Sequence, residues 1–234
     1  NITGDAGDNI LKGGSGADSL FGSGGNDTIT YNAVDTTIDG GTGNDTLVMN
    51  LAVATIVDLS ATADQVVGGG TTTGFENVDG IASTAALTLT GDSGANVLKG
   101  GTSADTINGG AGADTLFGNG GDDAITYDAA DTTVDGGTGN DTLVMNQTVA
   151  TTVDLSATAD QVVGGGTTTG FENVDGSLST AALTISGDAG ANILKGGSAA
   201  DNINGGTGYD SLFGNGGNDT ITYDAADTTT DGGT

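Results

Sequence analysis

Residues Gly109-Gly110-Ala111-Gly112-Ala113-Asp114-Thr115-Leu116-Phe117 form a nine-residue unit whose recurrence decides the fold. The first six are glycine-rich and end in Asp. Glycine tolerates positive φ and close backbone approach, so six such residues make a tight turn. The last three are strand-like, with one large apolar residue at the eighth position. Equivalent units start at Gly4, Gly13, Gly22, Tyr31 and Gly40. Others start at Gly91, Gly100, Gly109, Gly118, Tyr127 and Gly136, then at Gly187, Gly196, Gly205, Gly214 and Tyr223. Their eighth residues are Leu, Ile or Val throughout, from Leu11 and Leu20 to Leu212 and Ile221, and the stripe breaks only at Thr230. Such a stripe predicts a continuous apolar core under stacked strands.

A longer repeat contains the short one. Residues 136–176 nearly duplicate residues 40–80 at an offset of 96, which Tyr31, Tyr127 and Tyr223 keep. Earlier in the repeat, Leu11-Lys12-Gly13-Gly14 matches Leu98-Lys99-Gly100-Gly101 at an offset of 87. The two offsets differ by one nine-residue unit, so nine residues are the building block. Five segments follow: nonapeptide blocks at 1–48, 91–144 and 187–234, separated by 42-residue segments at 49–90 and 145–186. They are expected to form one continuous solenoid. Both ends fall inside repetitive sequence, as in an excerpt of a longer protein.

Composition narrows the chemistry. The chain has 31 acidic residues against three Lys, a formal net charge of -28, and no Cys, His, Pro or Trp. Nucleic-acid phosphates would repel it, as would an anionic membrane surface. Without thiolate or imidazole, any resident metal is held by oxygen. No apolar run reaches the roughly 20 residues of a membrane helix. Self-repulsion of this size opposes compaction unless cations neutralise it.

Two nonapeptides make a rung of turn, strand, turn, strand. Turns 18 residues apart then stack at the strand spacing of about 4.8 Å. A calcium ion between stacked turns can collect six to eight oxygens from carbonyls and Asp carboxylates at roughly 2.3–2.6 Å, so metal binding and folding should be one process. The expected ligands are Asp18, Asp27, Asp45, Asp105, Asp114, Asp123, Asp141, Asp201, Asp210 and Asp219, with backbone carbonyls of the glycine-rich turns. Asn9, Asn96 and Asn192 offer an oxygen without charge and are read as weaker ligands. The expected stacks are Asp105–Asp123–Asp141, Asp201–Asp219, Asp27–Asp45, Asn9–Asp27, Asn96–Asp114 and Asn192–Asp210.

The pattern GGxGxDxUx, seen in Gly13-Gly14-Ser15-Gly16-Ala17-Asp18-Ser19-Leu20-Phe21, resembles the RTX (hemolysin-type) calcium-binding repeats. The resemblance implies a parallel β-roll, type I secretion and folding in extracellular calcium. The expected fold is all-β: a right-handed parallel β-roll or β-helix solenoid in which calcium-binding rungs alternate with metal-free rungs.

Other features fit around this frame. The units at Tyr31, Tyr127 and Tyr223 have no Gly and carry Thr36, Thr132 or Thr228 at the sixth position. They should keep a strand and lose the tight turn, either as spacers or as a docking ridge. The 42-residue segments show β-rich runs at Thr46–Met49, Thr55–Leu59, Gln65–Val67, Phe75–Val78 and Leu87–Thr90, enough for about two larger rungs. Alternation puts Phe75 and Asn77 on one face, Glu76 and Val78 on the other. Lys12, Lys99 and Lys195 read as outward or edge charges, and Phe21, Phe117 and Phe213 as an outer aromatic row that could support self-association into a filament or layer. The Asp residues recur periodically, which favours ligation over a catalytic carboxylate pair, and the chain is read as non-enzymatic. Two functions remain: a calcium-dependent structural region of a secreted bacterial surface protein (S-layer, adhesin or filament), or a secretion and folding module attached to a protease, lipase or polysaccharide epimerase.

Overall fold

The computed structural model describes residues 1–234, contains no helix, and divides into two compact units, Asn1–Gly121 and Asp122–Thr234. In the first unit the strands are β1 (Ile2–Thr3), β2 (Ile10–Leu11), β3 (Ser19–Phe21), β4 (Thr28–Thr30), β5 (Thr37–Asp39), β6 (Thr46–Val48), β7 (Thr55–Asp58), β8 (Thr71–Thr73), β9 (Asn77–Asp79), β10 (Leu87–Thr90), β11 (Val97–Lys99), β12 (Thr106–Asn108) and β13 (Thr115–Phe117). The second unit has β14 (Ala124–Tyr127), β15 (Thr133–Asp135), β16 (Thr142–Met145), β17 (Thr151–Asp154), β18 (Thr167–Thr169), β19 (Asn173–Asp175), β20 (Leu183–Ser186), β21 (Ile193–Lys195), β22 (Asn202–Asn204), β23 (Ser211–Phe213), β24 (Thr220–Thr222) and β25 (Thr229–Asp231).

Each unit is a parallel β-roll. Strands two apart in sequence pair in parallel with an 18-residue register, as in Leu20↔Ile38, Ile29↔Leu47 and Leu194↔Leu212. The eighth-position stripe is the core: Leu20, Ile29, Leu47, Leu98, Ile107 and Leu116 are fully buried. Three residues per strand suffice because each strand inserts one apolar side chain between the two above and below it. The glycine-free units do keep their strands, as β5, β15 and β25.

The 42-residue segments change the geometry from two-sided to three-sided. In the first unit β1-β3-β5-β8 form one sheet, β2-β4-β6-β9-β11-β13 a second, and β7-β10-β12 a third. Two larger rungs are present, β5-β6-β7 and β8-β9-β10, each strand of one paired with its counterpart in the other. The first sheet ends at β8 and the third begins at β7, while the second runs through. The roll therefore hands over one face at each segment. The second unit repeats this within itself: β15-β18 ends, β14-β16-β19-β21-β23-β25 continues, and β17-β20-β22-β24 begins. A handover needs only two neighbouring sheets, so the number of nonapeptides before it can be odd or even.

A handover leaves two raw strand edges, which would invite pairing with other chains. One loop covers both. The N–H of Asp58 donates to Gln65 O (2.8 Å) and that of Val67 to Ile56 O (3.0 Å), closing the edge of β7 through an antiparallel bridge at Val57 and Val66. The N–H of Thr72 in β8 donates to Asp64 Oδ1 (3.0 Å), and Gln65 N–H to Thr72 O (2.7 Å). The buried Gln65 amide donates to Leu59 O and Phe75 O and accepts from Phe75 N–H. Gln65–Val67 is thus an edge cover, and the segment's second strand is Thr71–Thr73, outside the β-rich runs read from the sequence.

The alternation expected over Phe75–Val78 is corrected. Phe75, Asn77 and Val78 are all buried. Val78 is the inward residue of β9, paired with Leu47, and Phe75 lies in the turn before it. Tyr31 and Tyr127 are also buried, and their hydroxyls donate to Gly68 O (2.5 Å) and Gly164 O (2.6 Å). They hold the edge-covering loop from inside, which removes the docking-ridge reading for both. Tyr223 is 67 % exposed. Lys99 and Lys195 face Asp79 and Asp175 across paired strands, at 3.9 and 2.9 Å. Phe21, Phe117 and Phe213 lie on the outer side of their strands and are half-buried.

One buried polar atom at each handover has no partner. Thr72 and Thr168 pair with Ile38 and Val134 and are fully buried, with Oγ1 unbonded. An unsatisfied buried hydroxyl costs about 1–3 kcal/mol. Thr72→Val keeps the shape and is expected to stabilise the first unit by about 1 kcal/mol, read as a higher denaturant midpoint with calcium held constant.

Candidate metal centre

The sixth-position side chains form ladders along the turns. In each, a backbone N–H donates to the carboxylate one rung on: Asn9 to Asp27 Oδ1 (2.7 Å), Asp27 to Asp45 Oδ1 (2.7 Å), Asn96 to Asp114 Oδ1 (2.8 Å), Asp123 to Asp141 Oδ1 (2.8 Å), Asn192 to Asp210 Oδ1 (2.9 Å) and Asp201 to Asp219 Oδ1 (2.8 Å). Leu183 heads the Asp201–Asp219 ladder by donating to Asp201, and Leu87 starts one further ladder by donating to Asp105. Within each unit the structure therefore brings together the sixth-position pairs that the nine-residue phase predicts. A second ladder runs the other way through the fifth position, where Asn26 N–H donates to Asp8 Oδ1, Asn44 to Asn26 and Asn140 to Asp122.

One carboxylate oxygen is used by the ladder. The other is left over: Oδ2 of Asp27, Asp45, Asp141 and Asp219 is buried and accepts no hydrogen bond. It points at the first-position glycine of its own turn. A Cβ on Gly22 would collide with Asp27 Oδ2 and Gly40 O together, and one on Gly214 with Asp219 Oδ2 and Gly232 O. The glycine is needed because the spare carboxylate oxygen and a carbonyl of the next turn converge there. In the Asp105 and Asp201 turns, Oδ2 instead accepts from Gly101 and Gly197 N–H, both at 2.6 Å. Asp18 lies in its turn with Oδ2 beside Gly13.

Two ladder members were absent from the sequence reading. Asp45 N–H donates to Glu76 Oε2 (2.7 Å), and Asp141 N–H to Glu172 Oε2 (2.8 Å). By strand register these Glu residues occupy the sixth position of a shortened turn, and the extra methylene reaches the place an Asp fills elsewhere. Their spacing of 31 from Asp45 and Asp141 hid them from any nine-residue count. Asp35 was also missed: Asp18 N–H donates to its Oδ1 (3.0 Å), although register places Thr36 opposite Asp18.

The Asn residues have a structural role of their own. Asn96 Oδ1 accepts from Asp92 N–H, and its Nδ2 donates to Glu76 O (2.7 Å); Asn192 does the same with Asp188 and Glu172. Each ties a nonapeptide block to the segment before it through an N–H that Asp lacks.

Burial dominates the electrostatics. It pushes the Asp141 carboxyl up to about 6, helped by the charges of Glu172, Asp122 and Asp135. Burial likewise raises Asp45, with Asp27 and Asp39 contributing, and it raises Asp105 against hydrogen bonds from Leu87 and Gly101. Glu76 and Glu172 are raised by burial and by Asp45 and Asp188 respectively. Asp175 behaves differently: burial acts upward, but hydrogen bonds from Ser177 and Lys195 outweigh it and hold the carboxyl low.

These turns define a class: a parallel β-roll with acidic, glycine-cradled ladders. The model for RTX calcium-binding nonapeptide repeats, four copies long, matches residues 3–37, 31–48, 90–125, 128–144, 184–212 and 195–229, together more than half of the chain. The chain belongs to this family of calcium-binding repeats. No curated protein matches it. The residues present suit the ion. They offer oxygen only, the turns of Asp27, Asp45, Asp141 and Asp219 each leave one carboxylate oxygen unbonded, and no three acidic side chains converge into a cage of their own, so turn carbonyls must complete any site.

Two outcomes are expected. Carboxyls raised in the folded state favour folding below their unfolded value of 3.8, and that contribution is lost as pH rises through the folded value, about 6 for Asp141. In chelator, acidification from pH 7 toward 4 should therefore increase the far-UV β signal. Asn96→Asp should lower thermal stability at saturating calcium, by about 1–3 kcal/mol, because it sets a carboxylate against Glu76 O. A residue acting only as a weak ligand would show the opposite sign.

Proposed function

We propose that this chain is a calcium-dependent structural repeat region of a secreted bacterial surface protein, folding on calcium outside the cell. The observation that carries the reading is the row of buried, unbonded carboxylate oxygens set against glycine carbonyls. Buried anions without partners oppose folding, and a divalent cation beside them reverses the sign. The ions would sit at the sixth-position carboxylates Asp18, Asp27, Asp45, Asp105, Asp114, Asp123, Asp141, Asp201, Asp210 and Asp219, with turn carbonyls supplying the remaining oxygens. The net charge of -28 would hold the chain open in a calcium-poor cytoplasm. A structural role is supported by the face handover, built twice by the same residues, which adds length and protects every new edge without assembling a reaction centre. No helix is long and apolar enough to cross a membrane.

Circular dichroism under calcium titration tests this. The expected result is a disordered spectrum in chelator and β-structure appearing at roughly 10⁻⁴–10⁻³ M calcium, the range of extracellular modules. Full β-structure in chelator at neutral pH would overturn the reading.

A further inference from the structure

The glycine-free units carry no nonapeptide turn, yet two of them place a second carboxylate, with one oxygen buried, beside a sixth-position Asp. In the second unit, Asp210 is fully buried; its Oδ1 accepts Asn192 N–H and its Oδ2 has no partner. Asp227, from the unit beginning at Tyr223, comes within hydrogen-bonding reach of that carboxyl. Its Oδ2 accepts Asp224 N–H (2.9 Å), and its Oδ1 is buried without a partner. Each carboxylate has one hydrogen-bonded oxygen and one spare, and strand register sets the two residues beside each other, Asp210 just before Ser211 and Asp227 two before its partner Thr229. Two acceptor-only groups cannot satisfy one another. The neighbouring backbone is already engaged, since Thr228 N–H and Oγ1 both donate to Asp210 O.

The first unit has a related arrangement, in which the half-buried Asp18 donates its own N–H to the second carboxylate. Asp35 is 2 % exposed; its Oδ1 accepts Asp18 N–H and its Oδ2 is unbonded. Register puts Thr36 and Thr228 at the sixth position, but Asp35 and Asp227, one residue earlier, supply the side chain. The turn can form without glycine because an Asx residue closes it. Asn32 Oδ1 accepts from Val34 N–H, and Asp224 Oδ1 from Ala226 N–H. On the other side a glycine is kept: a Cβ on Gly13 or Gly205 would lie 2.7 or 2.6 Å from Oδ2 of Asp18 or Asp210.

We infer that the Asp210–Asp227 pair, and its counterpart Asp18–Asp35, each hold a calcium ion in a turn that lacks the nonapeptide motif. The cation bridges the spare oxygens of Asp210 and Asp227 in one pair, and joins the spare Asp35 oxygen to the Asp18 carboxylate in the other. The glycine-free units then extend the calcium face to the edge of each segment instead of closing it. This rests on the calcium reading above and adds Asp35 and Asp227 to the ligands.

Asp227→Asn and Asp35→Asn, made singly in the full chain, test it. Asn keeps a carbonyl oxygen for the existing backbone N–H bond and removes the charge. If the residues are ligands, isothermal titration should count one fewer calcium ion per chain for each variant, and the calcium midpoint for β-structure should rise at least about threefold, roughly 0.7 kcal/mol. If the second carboxylate only repels the first, its removal lowers the midpoint and leaves the count unchanged; that result overturns the inference. Ion counts are compared where wild type and variant give equal far-UV signals, so lost folding is not mistaken for a lost site. Wild type that folds without calcium would instead sink the broader reading.

Discussion

A buried carboxylate that uses one oxygen for the backbone and has nothing for the other is the constraint on which this molecule depends. The bond from one turn's N–H to the next turn's Asp sets the spacing and orientation of consecutive turns. It also buries the charge. A short strand with one inward apolar residue contributes too little to hold several such charges out of water at neutral pH. Protein–protein interactions alone leave these oxygens unpartnered, and the proposed function assigns a cation to them. Glycine at the first position follows from the same constraint, because the spare oxygen and the next turn's carbonyl occupy the space of a Cβ.

The 42-residue segments solve a different problem. A two-sided roll of short strands can only continue along the same pair of faces. By starting a third sheet before the first has ended, each segment moves the roll onto a new pair while the shared sheet continues. This exposes two strand edges, and one loop, held by Gln65 and the Tyr31 hydroxyl in the first unit and by Gln161 and Tyr127 in the second, covers both. Glu76 and Glu172 carry the acidic ladder into the segment, and Asn96 and Asn192 carry the backbone out of it. The boundary between block and segment is thus a continuous hydrogen-bonded path.

Much of this was legible before any coordinates. The nine-residue phase located the eighth-position core residues of the nonapeptide blocks, the turn glycines and the Asp pairs 18 apart, because a solenoid makes contacts at a fixed sequence separation. The same phase misled wherever that separation changed. Glu76 lies 31 residues from Asp45, and Asp35 lies 17 from Asp18, so neither shows in a count by nines. Thr71–Thr73 lies outside the β-rich runs read from the sequence, yet it forms a strand. The unit at Tyr31 stayed open between spacer and docking ridge because the loop that buries Tyr31 lies 37 residues away.

By itself, the amino-acid sequence determined the class of fold, the core stripe and the oxygen-only chemistry of the turns. Each of those follows from local preference repeated at one period, where residues that touch are always the same distance apart along the chain. Tertiary structure decided which faces the roll uses, what covers its edges and which carboxylates join the ladders at its irregular turns. Those depend on contacts between residues whose separation no period predicts, and only the folded chain brings them together.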